Sequence, residues 1–210
     1  MVGGPEMIRV SNKGLQDLEK FFQRAPEAAT MAARMAINDT ATRQGMTLIR
    51  KEMMEDVAFP RGYLAGDRLK VVKRATNANL EAVILGRKRA TSLARFATGP
   101  TVFNGKGGVP VRVKNGRTTY MKNAFLVRLR KGASLDEDNY NVGLALVLRP
   151  GERVNKRTAH TSWLAEGRVA LLYGPSVDQV FGGVADQVAE PIGDMVSTEF
   201  FRQFARLTRG

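Results

Sequence analysis

The spacing of apolar residues changes twice along this chain, and that change constrains the fold more than any other feature. Leu15, Leu18, Phe21 and Phe22, then Ala28, Met31, Met35, Met46, Ile49 and Met53, recur at helical intervals. After Phe59-Pro60-Arg61-Gly62 the apolar residues fall instead into short runs and strict alternation, as in Val109, Val111 and Val113. From Ser176 the helical interval returns through Phe181, Val184, Val188, Ile192, Met195 and Phe204. Helices first, sheet second and helix last predict an α+β fold, with terminal helices packed on an antiparallel sheet of about 5–7 strands. The chain is read as a single domain over residues 1–210, with a helical part at 11–56, a β part at 64–173 and a C-terminal helical part at 176–207.

Local signals set the expected boundaries. Ser11 and Asn12 can cap a first helix that should stop near Arg24, because Pro26 removes a backbone donor. Pro26 and Glu27 suit the start of a second, long helix running to about Glu55, in which Ala29, Ala32, Ala33 and Ala36 permit a close neighbour. Leu69 and Val71 with the run Leu80 to Leu85 form one expected hairpin around Asn77 to Asn79. The strand Val109 to Val113 and the segment Thr118 to Met121 form another around a two-residue Asn115-Gly116 turn. Phe125 to Leu129, Val142 to Leu148 and Val169 to Tyr173 read as strands, whereas Asp136 to Asp138 and Gly151 to Gly167 read as loops. Tyr173, Gly174, Pro175 and Ser176 read as an architectural turn from strand into helix, and Ser176 with Gln179 makes a capping-box start. Gly182, Gly183 and Pro191 predict that the last helix comes in two or three pieces.

Charge narrows the function. The chain carries a formal +13, concentrated in the middle: from Arg61 to Lys131 there are 17 Lys/Arg against 2 Asp/Glu. Such a region can neutralise phosphates, attract an acidic protein or serve as a solvated face. Arg87, Lys88 and Arg89 form its densest cluster, and Arg112, Lys114 and Arg117 flank the Asn115-Gly116 turn; together they are the candidate basic interaction surface. No aromatics interleave the cluster, so backbone neutralisation is favoured over base reading. The absence of Cys excludes disulfides and thiolate sites, and the single His160 rules out a His-pair zinc site. No metal, cofactor or catalytic residue is therefore expected. Gly105, Lys106, Gly107 and Gly108 lack the ending of a phosphate loop. His160, Ser162 and Glu166 show no triad spacing, and the only two acids of the basic region, Asp67 and Glu81, show no metal-ligand pattern. No apolar run reaches the roughly 20 residues needed to cross a bilayer, so no membrane partner or leader is expected.

Three residues are interface candidates. Asn38 and Thr42 fall on the apolar stripe of the long helix, where they either satisfy each other or a backbone group, or fix register against another subunit. Trp163, in the longest loop, reads either as an interface anchor or as a ring covered by its own loop.

An ordered set of segments also resembles a known family. These are Gly14 and Leu15, the stretch Met35-Ala36-Ile37-Asn38-Asp39-Thr40-Ala41, Leu93-Ala94-Arg95-Phe96 before Gly108 to Val113, Asn123-Ala124-Phe125 with Asn in place of a usual Gly, and Leu171 to Val180 around Tyr173-Gly174-Pro175-Ser176-Val177. Over roughly Asn12 to Leu207 they are similar to the minor tail protein Z family of long-tailed bacteriophages, the tail completion or neck proteins. The resemblance implies a virion structural protein, assembled in the bacterial host cytoplasm, that joins tail tube to head-tail connector and is not an enzyme. Its implied partners are tail terminator, tail tube and connector proteins, a homo-oligomeric ring of itself with six-fold symmetry the first candidate, and non-specific contact with DNA. The rival reading is a basic nucleic-acid-binding module associated with DNA packaging.

Overall fold

The computed structural model describes residues 12–100, 103, 107–130, 140–151, 159–162 and 169–209. Three helices and nine strands are α1 (Asn12–Thr42), α2 (Gln44–Asp56), β1 (Leu69–Lys73), β2 (Val83–Gly86), β3 (Ala90–Ser92), β4 (Val109–Val111), β5 (Thr119–Met121), β6 (Ala124–Arg130), β7 (Tyr140–Val147), β8 (Ala159–Ser162), β9 (Val169–Ser176) and α3 (Val177–Thr208). Short 3-10 turns precede β1 at Gly66–Arg68 and follow β3 at Leu93–Phe96. The class is α+β, as the periodicity predicts.

The main sheet has five strands, with β9 between β7 and β8 at its start and paired to β3 at its end. Alternation along β6, β7 and β9 turns Ala124, Leu126, Leu144, Ala170 and Leu172 to one face, where they meet Ile49 and Met53 of α2 and Val180, Val184 and Val188 of α3. The opposite face carries a smaller cluster of Ala145, Val169 and Leu171 with Phe125, Val127, Leu129 and Tyr173. β1–β2 and β4–β5 are separate antiparallel hairpins.

The helix boundaries differ from expectation in three places. α1 runs straight through Pro26, and the helical segment breaks instead at Arg43, whose φ of −118° and ψ of −96° are not helical. Pro26 is exposed, so water can satisfy the carbonyl it leaves unbonded. At the break, a Cβ on Gly45 would lie 2.8 Å from the Thr40 carbonyl oxygen, so the tight step from α1 to α2 depends on glycine there. The step lets α1 pack on α3 through the fully buried Ala32 and Ala36 while α2 presents Met46, Ile49 and Met53 to the sheet. α3, for its part, is one continuous helix. Gly182, Gly183 and Pro191 all lie on its exposed side, and the stripe Val177, Val180, Val184, Val188 holds it against the core.

The sheet brings further corrections. Tyr173 to Ser176 is not a turn: β9 extends through all four residues, and α3 starts at once. Ala90 pairs with Ser176 and Thr91 with Gly174, which leaves Pro175 as the extra residue of a bulge, where its missing N–H breaks no ladder bond. Gly174 does not adopt a left-handed conformation; a Cβ there would lie 3.0 Å from Phe96 Cε2, so close ring packing is what favours glycine. The capping box is present, with the Ser176 side chain accepting from Gln179 N–H at 3.0 Å and Gln179 Oε1 from Ser176 N–H at 2.9 Å. β3 and β8 were not expected, and β8 lies inside the stretch Gly151 to Gly167 read as a loop; its polar residues form a strand because β9 supplies the partner. The Asn115-Gly116 hairpin forms, but its loop is longer than two residues. Val113 and Lys114 leave the β5 ladder to pair with residues 57 and 58, and Asn115 Nδ2 donates to the carbonyls of Met54 and Glu55 at the end of α2.

Candidate functional site

Four arginines of the basic middle converge on a cleft of about 290 Å³ beside the β3 end of the sheet. Its lining includes Arg68, Arg87, Arg89 and Arg95 with Tyr63, Asn141 and Tyr173, and among the described residues no acidic side chain joins them. Arg68 closes the 3-10 turn before β1, Arg87 and Arg89 lie in the link from β2 to β3, and Arg95 lies on the turn after β3. Three segments separated in sequence are thus drawn together by the roots of one hairpin and one sheet edge.

Tyr63 organises the cleft. It is nearly buried, at 6% exposure, with the Phe59 ring stacked 5.4 Å away and the Arg68 guanidinium carbon 4.4 Å from its ring centroid. The Tyr63 hydroxyl donates to Thr91 Oγ1 at 3.3 Å and accepts from Arg87 Nη2 at 2.7 Å, while Arg68 Nη1 donates to the Tyr63 carbonyl at 3.1 Å. Arg87 is fixed through its backbone too: its N–H donates to the Arg68 carbonyl and its carbonyl accepts from Asp178 N–H at the start of α3. Two guanidiniums are therefore held in place before any ligand arrives. Arg89 and Arg95 are exposed at the rim. None of the four forms an ion pair among the described residues, and the Nε atoms of Arg68 and Arg87 are buried without a hydrogen-bond partner. Such a cleft can bind an anion through charge-assisted hydrogen bonds, and among the described residues it holds no nucleophile paired to a base.

The expected basic surface is divided. Arg87 and Arg89 face the cleft, whereas Lys88, on the other side of the extended chain, lines a wider groove of about 990 Å³ with Lys114, Asp56 and Asp178. Arg112, Lys114 and Arg117 are exposed on the β4–β5 hairpin, with Arg112 Nε 3.4 Å from Thr118 Oγ1. Arg68, Arg95 and Tyr63 are members that sequence reasoning missed. Their only advance signal was the general cation excess of the middle, because residues spaced this far apart reveal nothing about convergence.

The interface candidates fare differently. Asn38 Nδ2 donates to the Ala75 carbonyl and Asn38 Oδ1 accepts from the Ala75 N–H, both at 2.9 Å, so its amide clamps the β1–β2 loop to α1. Thr42 Oγ1 donates back to the Asn38 carbonyl at 2.7 Å. Both side chains therefore bond backbone groups of their own chain. Trp163 lies outside the described residues, as do Glu166, Gly105 and Lys106. His160 falls on β8.

At the far end of the molecule α1 and α3 meet through a polar junction. Gln203 Nε2 reaches Asp39 Oδ2 at 3.3 Å and also the Glu199 carboxylate, which Arg202 clasps with two donors. The Arg202 guanidinium holds the Glu199 carboxyl below the usual carboxylate range. Among the described residues no group of three or more His, Asp or Glu side chains could hold a metal, and no helix is long and apolar enough to cross a membrane.

Comparison with known proteins yields no match to a family model, to a curated protein or to a solved structure.

Proposed function

We propose that this chain is a structural assembly protein of a tailed bacteriophage: a tail completion protein at the neck, between tail tube and head-tail connector, without catalytic activity. The reading starts from the ordered residues, Gly14 to Val180, that resemble the minor tail protein Z family.

One observation favours an assembly role: the outer face of the β1–β2 hairpin. Strand alternation turns Leu69, Val71 and Ile84 toward the core and leaves Val72 and Leu85 outside at 46% and 48% exposure, with Leu80 nearby at 44%. The hairpin is held at both ends, by Asn38 on the Ala75 backbone and by the close approach of Gly86 to Asp178. Exposed apolar side chains beside Lys70 on a hairpin held at both ends suit contact with another subunit better than they suit charge neutralisation alone. In this reading the chain forms a homo-oligomeric ring, for which six-fold symmetry is the first candidate, meets terminator, tube and connector proteins, and turns part of its basic surface toward passing DNA. The arginine cleft is the observation that favours the rival reading, a nucleic-acid-binding module associated with packaging.

Gold labelling of an epitope-tagged copy in particles from the producing host tests the proposal. Label at the junction of head and tail is the expected result. Label absent from all particles, with the chain recovered on free DNA, would favour the packaging module.

A further inference from the structure

We propose that the cleft between Tyr63, Arg87 and Arg95 is a phosphate-binding site, in which the guanidiniums of Arg68, Arg87, Arg89 and Arg95 hold the oxygens of one or two linked phosphate groups. This goes beyond the assembly role, which requires no ligand.

Geometry and charge together support it. Four guanidiniums share about 290 Å³, with no carboxylate among the described lining residues. Like charges gathered in one cleft repel one another, and a polyanion placed among them relieves that repulsion. Two of the four are not loose surface side chains. Arg68 lies over the Tyr63 ring and bonds its carbonyl, and Arg87 bonds its hydroxyl, so their forks are oriented before binding. Their buried Nε atoms lack a partner. The planar fork of a guanidinium matches two oxygens of a tetrahedral phosphate, and Arg89 and Arg95 at the rim can close on the remaining ones.

The size of the cleft favours phosphate over a single carboxylate. Its volume lies at the lower end of small-ligand sites, larger than one carboxylate fills, and a diphosphate supplies several oxygens and more than one negative charge to four cations. The same phosphate chemistry is offered by a free phosphorylated molecule and by a nucleic-acid backbone, and the experiment separates these sources.

Binding of pyrophosphate, of a short DNA duplex and of a short polyglutamate is measured by calorimetry at about 0.15 M salt, where long-range attraction is largely screened. Three forms of the full chain are compared: the parent, Arg89→Gln with Arg95→Gln, and the hairpin triple Arg112→Gln, Lys114→Gln, Arg117→Gln. Among the described residues the side chains of the rim pair take part in no hydrogen bond or ion pair, so the double variant is expected to melt like the parent. Pyrophosphate should bind the parent and lose at least about tenfold in affinity with the double variant, while the hairpin triple stays within about twofold. Pyrophosphate binding without duplex binding identifies a free phosphorylated ligand. Duplex binding that pyrophosphate displaces, and that falls in the double variant, identifies backbone phosphate. The proposal is overturned if neither phosphate probe binds the parent, if the hairpin triple loses as much as the rim pair, or if polyglutamate binds more tightly than pyrophosphate. None of these outcomes depends on where the chain sits in a particle, so the two proposals fail separately.

Discussion

Replacing Gly86 by alanine should destabilise the protein, whereas the same change at Gly182 should stabilise it. Gly86 ends β2 where the hairpin meets the start of α3, and a Cβ built there would lie 2.8 Å from both Cα and N of Asp178 and 3.0 Å from the Val177 carbonyl carbon. All three are backbone atoms, so no rotamer change relieves the contact. Ordinary contact begins near 3.4 Å, and the two elements must therefore part by about 0.6 Å. That movement strains the bond from Asp178 N–H to the Arg87 carbonyl, already 3.3 Å long, and overpacking of this kind costs about 1–3 kcal/mol. In a chain of this size each kcal/mol lowers the melting temperature by about 2–4 °C, so a fall of about 2–12 °C is expected. Gly182 is exposed in mid-helix, and a Cβ there meets nothing within 4 Å. Alanine at that position removes freedom from the unfolded chain and should add about 0.4–1 kcal/mol, a rise of about 1–4 °C. Thermal melts followed by circular dichroism read both values. A Gly86→Ala protein melting at or above the parent would show that the hairpin and α3 do not approach as closely as described.

Three further outcomes follow from single contacts. Asn38→Ala should cost about 1–3 kcal/mol and speed hydrogen exchange at the Ala75 amide, because Ala75 is buried and loses both of its amide partners; unchanged exchange would refute the clamp. Ser176→Ala should cost about 1 kcal/mol by orphaning the Gln179 N–H, and retained parental stability would deny the cap its role. Glu199 is held below its ordinary value of 4.5, so its stabilising effect is present above that pH and is lost as the pH falls through its lowered folded value. Denaturant titrations should therefore show stability declining below about pH 4.5, with a shallower decline in Glu199→Gln; parallel pH profiles would show that this pair carries none of the acid sensitivity.

The parts of this structure legible in the sequence are those that depend on neighbours a few residues away. Strand alternation at Val109 and Val111 and the capping box at Ser176 and Gln179 report local geometry, which side-chain spacing alone encodes. The change of apolar period divided helices from sheet for the same reason, since it records which face of each segment is buried. Tertiary contacts decided the rest. Pro26 and Pro191 do not end their helices, because packing between α1 and α3 outweighs one missing bond on an exposed side. The break falls at Arg43 because Gly45 can approach the Thr40 carbonyl. Gly174 and Pro175 lie in a strand because β3 supplies a bulged partner, and Ala159–Ser162 becomes a strand because β9 lies alongside. The arginine cleft belongs to this second class most completely. The sequence records that cations are abundant between Arg61 and Lys131, but which four share a cleft depends on Tyr63 and on the docking of hairpin against helix. Such convergence is set by the path of the chain in three dimensions, and no local spacing carries it.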